Sequence, residues 1–147
     1  MRLNYIDSID CVEGMKAIQD GSVDLVITSP PYFNARPYAA WESYDAFLAW
    51  LRTVFTEVYR VTKEGRMVAV NLSVILQPRQ KRSESSKRLA LPFHFVPLME
   101  AIGFAFLDDI IWVKPEGAAK NRNGKFSAHR QPVAYKPNAV TEYILIF

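Results

Sequence analysis

Asp24-Leu25-Val26-Ile27-Thr28-Ser29-Pro30-Pro31-Tyr32 runs from an apolar stretch straight into two prolines. Leu25-Val26-Ile27 has the unbroken apolar character of a strand covered on both faces, as in the interior of a parallel sheet. Each proline lacks an N–H and fixes its own φ, so the ladder stops there. Each also drives the preceding residue into an extended conformation, which stretches out Ser29 and Pro30. Their carbonyls then face whatever lies beyond the sheet. In an open α/β sheet that place is the crevice outside the carboxyl ends of the strands, where ligands bind. A hydroxyl, free carbonyls and an aromatic ring are thus set together, a combination suited to gripping a flat group that carries an amine.

The 147 residues fit one domain, long enough to bury about two-thirds of its unfolded surface. Half of them are hydrophobic, a globular rather than a disordered proportion. No apolar run reaches the ~20 residues of a membrane span, and the first twenty residues carry charges throughout, so neither a membrane partner nor a signal peptide is expected. Cys11 is the only cysteine, which leaves no internal disulfide and fits a cytoplasmic location.

The net charge of +3 is unevenly placed. Residues 1–78 hold seven Lys/Arg against nine Asp/Glu, and residues 79–147 hold eleven against six. The excess falls in two polar stretches, from Arg79 to Arg88 and from Lys114 to Lys136. They read either as solvated loops or as a surface that meets nucleic-acid phosphates.

Residues 2–6 form a short strand candidate, followed by a helix over 12–18 that Gly21 closes and a strand over 24–29. Residues 30–42 lack periodicity and read as a loop. Ser43 is a good N-cap with Asp45 in the first turn, and Phe47, Leu48, Leu51, Phe55, Val58 and Tyr59 recur at helical spacing. Lys63-Glu64-Gly65 should stop that helix before a strand over 67–72. A polar loop over 77–88, a helix over 92–102 ended by Gly103, a strand over 109–113, a long loop over 115–139 and a strand over 141–147 complete the pattern. Strands alternating with helices indicate an α/β fold with a mostly parallel sheet. The chain stops within the apolar run Tyr143-Ile144-Leu145-Ile146-Phe147, which reads as the end of a fragment, a split subunit or a trimmed gene.

Beyond these local readings, the chain resembles the amino-group DNA methyltransferases. Ile9-Asp10-Cys11-Val12-Glu13-Gly14-Met15 with Gly21-Ser22-Val23-Asp24-Leu25 is similar to the family's opening segment, with Ile9 where a glycine is usual. Thr28-Ser29-Pro30-Pro31-Tyr32 matches the catalytic motif. The segments from Trp50 through Lys63-Glu64-Gly65, from Gly103-Phe104 through Trp112-Val113-Lys114-Pro115, and Glu142 to Phe147 resemble the family's later elements in order. A lone Ser-Pro-Pro-Tyr is weak evidence, whereas the ordered set covers essentially the whole chain. The order implies the permuted group in which the catalytic half comes first, and hence a partial Rossmann-like, S-adenosylmethionine-dependent methyltransferase fold. Residues 1–147 would be its catalytic, N-terminal part. The resemblance implies that family members continue past the equivalent of Phe147 into a target-recognition region and a Phe-x-Gly-x-Gly cofactor loop. Both are expected to be absent here, and no Gly-x-Gly occurs in the 147 residues.

The resemblance implies methyl transfer from S-adenosyl-L-methionine to an exocyclic nitrogen of a flipped base in double-stranded DNA, of the restriction–modification type. Serine first in the motif leans toward N4 of cytosine, with N6 of adenine as the alternative. Ser29, Pro30, Pro31 and Tyr32 are the expected catalytic residues. The amine would donate its hydrogens to the Ser29 hydroxyl and the Pro30 carbonyl, so that its lone pair aims at the methyl, and Tyr32 would stack on the base. Tyr32 as a ring that merely packs over the sheet edge is the plainer reading. Asp10, Cys11, Ser29 and Pro30 would contact the cofactor; Asp10 would serve equally as a helix N-cap. Tyr32, Arg36, Tyr38, Lys120, Arg122, Lys125 and Arg130 are the DNA-contact candidates, with exposed loop residues the competing reading for Arg36 and Tyr38. Cys11 lacks the Pro-Cys context of a ring-carbon nucleophile, and His94 and His129 are too isolated to suggest a metal.

Other readings remain open. Methylation of a protein glutamine amide uses a similar tetrapeptide with Asn first, which Ser29 and the basic second half argue against. A non-catalytic or split fragment, needing a second chain or self-association to complete the domain, accounts for the missing Gly-x-Gly.

Overall fold

The computed structural model describes residues 4, 6–33, 40–77, 81, 87–115 and 140–147. Helix α1 (Cys11–Met15) starts at Asp10, whose carboxylate Oδ1 accepts from the N–H groups of Val12 and Glu13 at 3.0 and 3.2 Å. Gly21, at φ 59°, then turns the chain into strand β1 (Val23–Thr28). The expected first strand over 2–6 lies mostly outside the described residues, and Ile6 is fully exposed and in no strand.

Helix α2 (Tyr44–Val61) begins where expected, with Ser43 Oγ accepting from the Ala46 N–H at 3.0 Å. Its end differs from the sequence reading. Thr62 already has extended backbone, its hydroxyl donating to the Val58 carbonyl at 2.6 Å, and it opens strand β2 (Thr62–Leu72). Lys63-Glu64-Gly65 therefore lies inside β2 rather than stopping the helix. The parallel register jumps there from Val23↔Thr62 to Leu25↔Met67, and Gly65 at φ 73° lets β2 bulge. Asp24 faces the bulge and pairs with Arg66 at 3.1 Å and Lys63 at 3.9 Å.

The polar stretch over 77–88 is framed by two short antiparallel strands, β3 (Ile75–Gln77) and β4 (Lys87–Leu89). Helix α3 (Leu91–Ile102) ends at Gly103, and strands β5 (Asp108–Val113) and β6 (Thr141–Ile146) follow. The loop expected over 115–139 falls almost wholly outside the described residues.

The main sheet has the order β1-β2-β6-β5. Strands β1 and β2 pair in parallel, and β6 enters antiparallel between β2 and β5. Because β6 reverses twice against its neighbours, β5 runs with β1 and β2, so three of the four strands point the same way. The carboxyl ends of β1, β2 and β5 share one rim with the start of β6.

One face of this sheet holds the core. Val68, Val70 and Leu72 of β2 and Leu145 of β6 pack beneath Phe47, Leu51 and Phe55 of α2 and Leu91, Phe95 and Met99 of α3. The opposite face is bare. Leu25 and Ile27 are 54 % and 75 % exposed, and Met67, Ile110 and Trp112 about half exposed. The reading of Leu25-Val26-Ile27 as covered on both faces is corrected here, since only Val26 reaches the core. The run has the apolar character of a two-sided strand, but no described residue covers its second face.

Gly103 carries a conformational demand that its neighbours reinforce. It sits at φ 128°, and a Cβ there would meet the Tyr59 ring and hydroxyl at 3.0 Å, where Tyr59 packs edge-on against Phe104. Gly103→Ala should lower unfolding stability by about 1–3 kcal/mol, measured by urea denaturation.

Candidate active site

Strand β1 ends at Thr28, and the proline pair releases the chain at the rim. Ser29 is exposed there, Pro30 is buried, and Pro31 and Tyr32 are half-buried. The next residue, Phe33, anchors the segment. Its ring packs edge-on against Tyr44 at 5.6 Å and tilts against Phe47 at 5.8 Å, at the start of α2. Trp41 and Trp50 extend this aromatic cluster around Phe47. Sequence reasoning missed Phe33, although an aromatic directly after the motif and ahead of an aromatic-rich helix start was a usable signal.

The structure brings the four expected motif residues together and adds others from neighbouring strands. The Ser29 hydroxyl and the Ser73 backbone N–H lie near enough to the Tyr32 phenol to favour its ionised form. Ser73 follows the end of β2 and is itself buried. Burial and the Glu142 carboxylate push the Tyr32 phenol up to about 12, more than Ser29 and Ser73 pull it down. At the same rim, Asn71 Nδ2 donates to Glu142 Oε2 at 3.0 Å, and Lys114 pairs with the other oxygen of Glu142. None of Asn71, Ser73, Lys114 and Glu142 was singled out from sequence as a site residue. A carboxylate heading an otherwise apolar strand was the available clue.

Asp10 and Cys11 lie exposed at the amino end of α1. Asp10 is the helix cap, as one of its two readings anticipated, and the cap uses only Oδ1. The other end of α1 is tied to α2 by Arg60. That guanidinium donates to the carbonyls of Met15 and Ile18 at 2.8 and 3.0 Å and pairs with Glu57 and Asp20. Arg36, Tyr38, Lys120, Arg122, Lys125 and Arg130 lie outside the described residues.

Chemically, the rim offers an exposed hydroxyl beside a neutral phenol, with the carbonyls of a proline-locked segment. It has acceptors for an amine and an aromatic face for a flat ring, and the phenol stays protonated well above neutral pH.

The N6/N4 methyltransferase family model, described as DNA methylase, matches residues 23–147. The chain belongs to this DNA methylase family. It is 31 % identical over 151 residues to the Type II beta methyltransferase M.BslI of Bacillus sp. (strain NEB-606), covering 99 % of this chain and 16 % of that protein. It is 28 % identical to the Type II methyltransferase M.BglII of Bacillus subtilis, covering 90 % of this chain and 35 % of the relative. Among solved structures it is similar to TTHA0409 of Thermus thermophilus, a candidate DNA modification methylase in complex with S-adenosyl-L-methionine. That match has a TM-score of 0.71 and 26 % identity, over 93 % of this chain and 49 % of the other. The PvuII cytosine-N4-specific DNA methyltransferase shares the fold at a TM-score of 0.68 and 16 % identity, over 94 % of this chain and 46 % of that one. The fold is therefore that of the S-adenosylmethionine-dependent methyltransferases, and the chain spans half or less of the length of these proteins.

The raised phenols have a consequence for alkaline stability. Tyr44, pushed up to about 12 by burial and by Asp45, adds to Tyr32. A phenol held above its ordinary value of 10 binds its proton more tightly when folded. Its contribution is complete below pH 10 and is lost as pH rises toward 12. The urea midpoint should fall across that window, and Tyr32→Phe should flatten part of the fall.

Proposed function

We propose that this chain is the catalytic part of a DNA amino-methyltransferase of the restriction–modification type, transferring a methyl to N4 of cytosine in a flipped base. The observation that carries the reading is the exposed Ser29 hydroxyl beside the Tyr32 ring at the carboxyl end of β1, in a DNA methylase chain. Serine in the first motif position favours N4 of cytosine over N6 of adenine.

S-adenosyl-L-methionine, bound in the similar Thermus structure, supplies an electrophilic methyl on a sulfonium. The chain has residues that fit it. Asp10 keeps a carboxylate oxygen beyond its cap for an adenine amino group, with Cys11 beside it. Ser29 and Pro30 would contact the same cofactor. Ser29 and the Pro30 carbonyl accept the two hydrogens of the base amine, which frees the nitrogen lone pair from conjugation with the ring. Positioning then supplies most of the acceleration. Extruding the base costs a few kcal/mol, and stacking on Tyr32 offsets about 1–3 kcal/mol of it. Arg36, Tyr38, Lys120, Arg122, Lys125 and Arg130 would meet the DNA, the four last-named through its phosphates.

A second reading is favoured by the bare sheet face and by β1, which has β2 as its one partner strand among the described residues. The chain would act with a further polypeptide segment that covers this face and brings a Gly-rich cofactor loop. That segment would lie in frame, in a second chain or in a copy of this one. A coding stretch for Phe-x-Gly-x-Gly beyond residue 147 or in an adjacent gene would identify it, and co-expression should then raise activity.

The test incubates the protein with methyl-labelled S-adenosylmethionine and mixed-sequence duplex DNA, alone and with that segment. Label should appear on N4 of cytosine. Label on N6 of adenine would reassign the target, and label on neither nitrogen under either condition would sink the enzyme. Ser29→Ala should cut turnover by about 10²-fold with protein still folded. Tyr32→Ala should weaken binding of the target site by about 1–3 kcal/mol.

A further inference from the structure

The stretch from Ser29 to Tyr32 is held at both ends. Strand β1 fixes it at Thr28, and Phe33 anchors it on the far side. Pro30 and Pro31 lie between, each with its φ fixed by the ring, so the stretch has little slack to absorb a shift at either end. The seat of Phe33 therefore governs where Tyr32 and Ser29 sit. That seat is two rings of α2. Phe47 is fully buried and locked by the core. Tyr44 is only half-buried and is the first residue of the helix. A helical side chain leans over the turn that precedes it. Tyr44 has no such turn, and its ring instead meets Phe33 edge-on at 5.6 Å.

A contact from outside α2 ties this ring. The Tyr44 hydroxyl is hydrogen-bonded to His94 Nδ1 at 3.0 Å, and the two rings lie 5.6 Å apart. The phenol donates when Nδ1 is bare and accepts when Nδ1 carries the hydrogen, so either tautomer of the imidazole makes the bond. His94 stands in the first turn of α3, with its own N–H donating to the Ala90 carbonyl at 3.1 Å. It is exposed and lies outside the buried core. Helices α2 and α3 already meet in that core through Phe55 and Phe95, edge-on at 4.8 Å. The helix pair is thus packed without the imidazole, whereas the Tyr44 ring takes its polar tether from it.

We propose that His94 is a positioning residue: it ties the Tyr44 hydroxyl, the tied ring seats Phe33, and Phe33 sets the far end of the Ser29–Tyr32 stretch that grips the acceptor base. This rests on the methyl-transfer reading above. His94 touches neither base nor methyl in this role.

The test compares His94→Leu, His94→Asn and Tyr44→Phe with the wild type, each labelled with fluorophenylalanine. The Phe33 fluorine resonance is assigned by its loss in Phe33→Leu, and it senses the ring current of Tyr44. His94→Leu and Tyr44→Phe should each move that resonance toward its value in the unfolded chain, with the Phe55 and Phe95 resonances unmoved. Each should cut kcat about fivefold while KM for S-adenosylmethionine changes by less than about twofold. His94→Asn offers an amide where Nδ1 stood, and should recover most of kcat and the Phe33 resonance. The double variant His94→Leu with Tyr44→Phe should lose no more than either alone, because both remove one bond. Tyr44→Phe deletes a single oxygen and decides the matter if His94→Leu does not fold. An unmoved Phe33 resonance, core resonances that move with it, additive losses, or a His94→Asn protein no better than His94→Leu would each overturn the proposal. If the wild-type protein transfers no label at all, the methyl-transfer reading falls, and the Phe33 resonance still decides whether His94 seats that ring.

Discussion

The packing of α2 across one face of the sheet is the interaction from which the rest of the structure follows. Strands β1 and β2 are parallel neighbours, so the chain must cross over between them, and α2 is that crossover. Its buried stripe of Phe47, Leu51, Val54, Phe55 and Val58 fixes how the helix lies on β2 and against α3. Both ends then act on the site. At the amino end, Tyr44 and Phe47 receive Phe33 and hold the proline segment at the rim. At the carboxyl end, Arg60 takes the carbonyl of Met15, the last residue of α1, and that of Ile18 beyond it, and so sets the helix that Asp10 caps. Loss of the stripe would release the proline segment and α1 together, although neither lies within the stripe.

Energetically the rim is the opposite of the core. The core gains from burying aliphatic and aromatic surface, which is non-directional and tolerant of small shifts. The rim gathers a carboxylate, an ammonium, an amide and a phenol, all partly removed from water, beside the exposed Ser29 hydroxyl. Such groups are stable there only when their hydrogen bonds are met, which demands defined orientations. The unmet Asn71 Oδ1 shows where that demand is not fully satisfied. A rigid aromatic core beneath a polar rim is a reasonable way to hold a hydroxyl and a ring at fixed separation.

Much of this was legible in the residue pattern. Periodicity located α2, Ser43 marked its start and Gly103 the end of α3, and the proline pair placed the end of β1 at a crevice. The stop of α2 was misplaced because Gly65 looked like a helix terminator, whereas a glycine with positive φ serves equally well in a bulge. Local sequence does not distinguish the two; the pairing partner of the strand does. The clamp of Asn71, Lys114 and Glu142 was invisible for a related reason. Its members are far apart in the chain and meet only because β6 inserts between β2 and β5. Antiparallel insertion of a late strand is a topological fact that periodicity along one strand does not carry.

The bare face and the site are parts of one problem. Leu25, Ile27, Met67, Ile110 and Trp112 form an apolar surface contributed by both outer strands and by β2, and exposed apolar surface of that kind marks a place where something packs. The residues that precede the proline segment, Leu25 and Ile27, belong to it. Any cover over this face therefore lies against the same strand that delivers Ser29 to the rim. Covering would stiffen β1, exclude water from beneath the crevice and bring new chain to the edge where β1 has no described neighbour. Asn71 and Glu142 of the rim alternate onto this same face, Glu142 directly opposite Trp112. What completes the sheet would also be placed to complete the site.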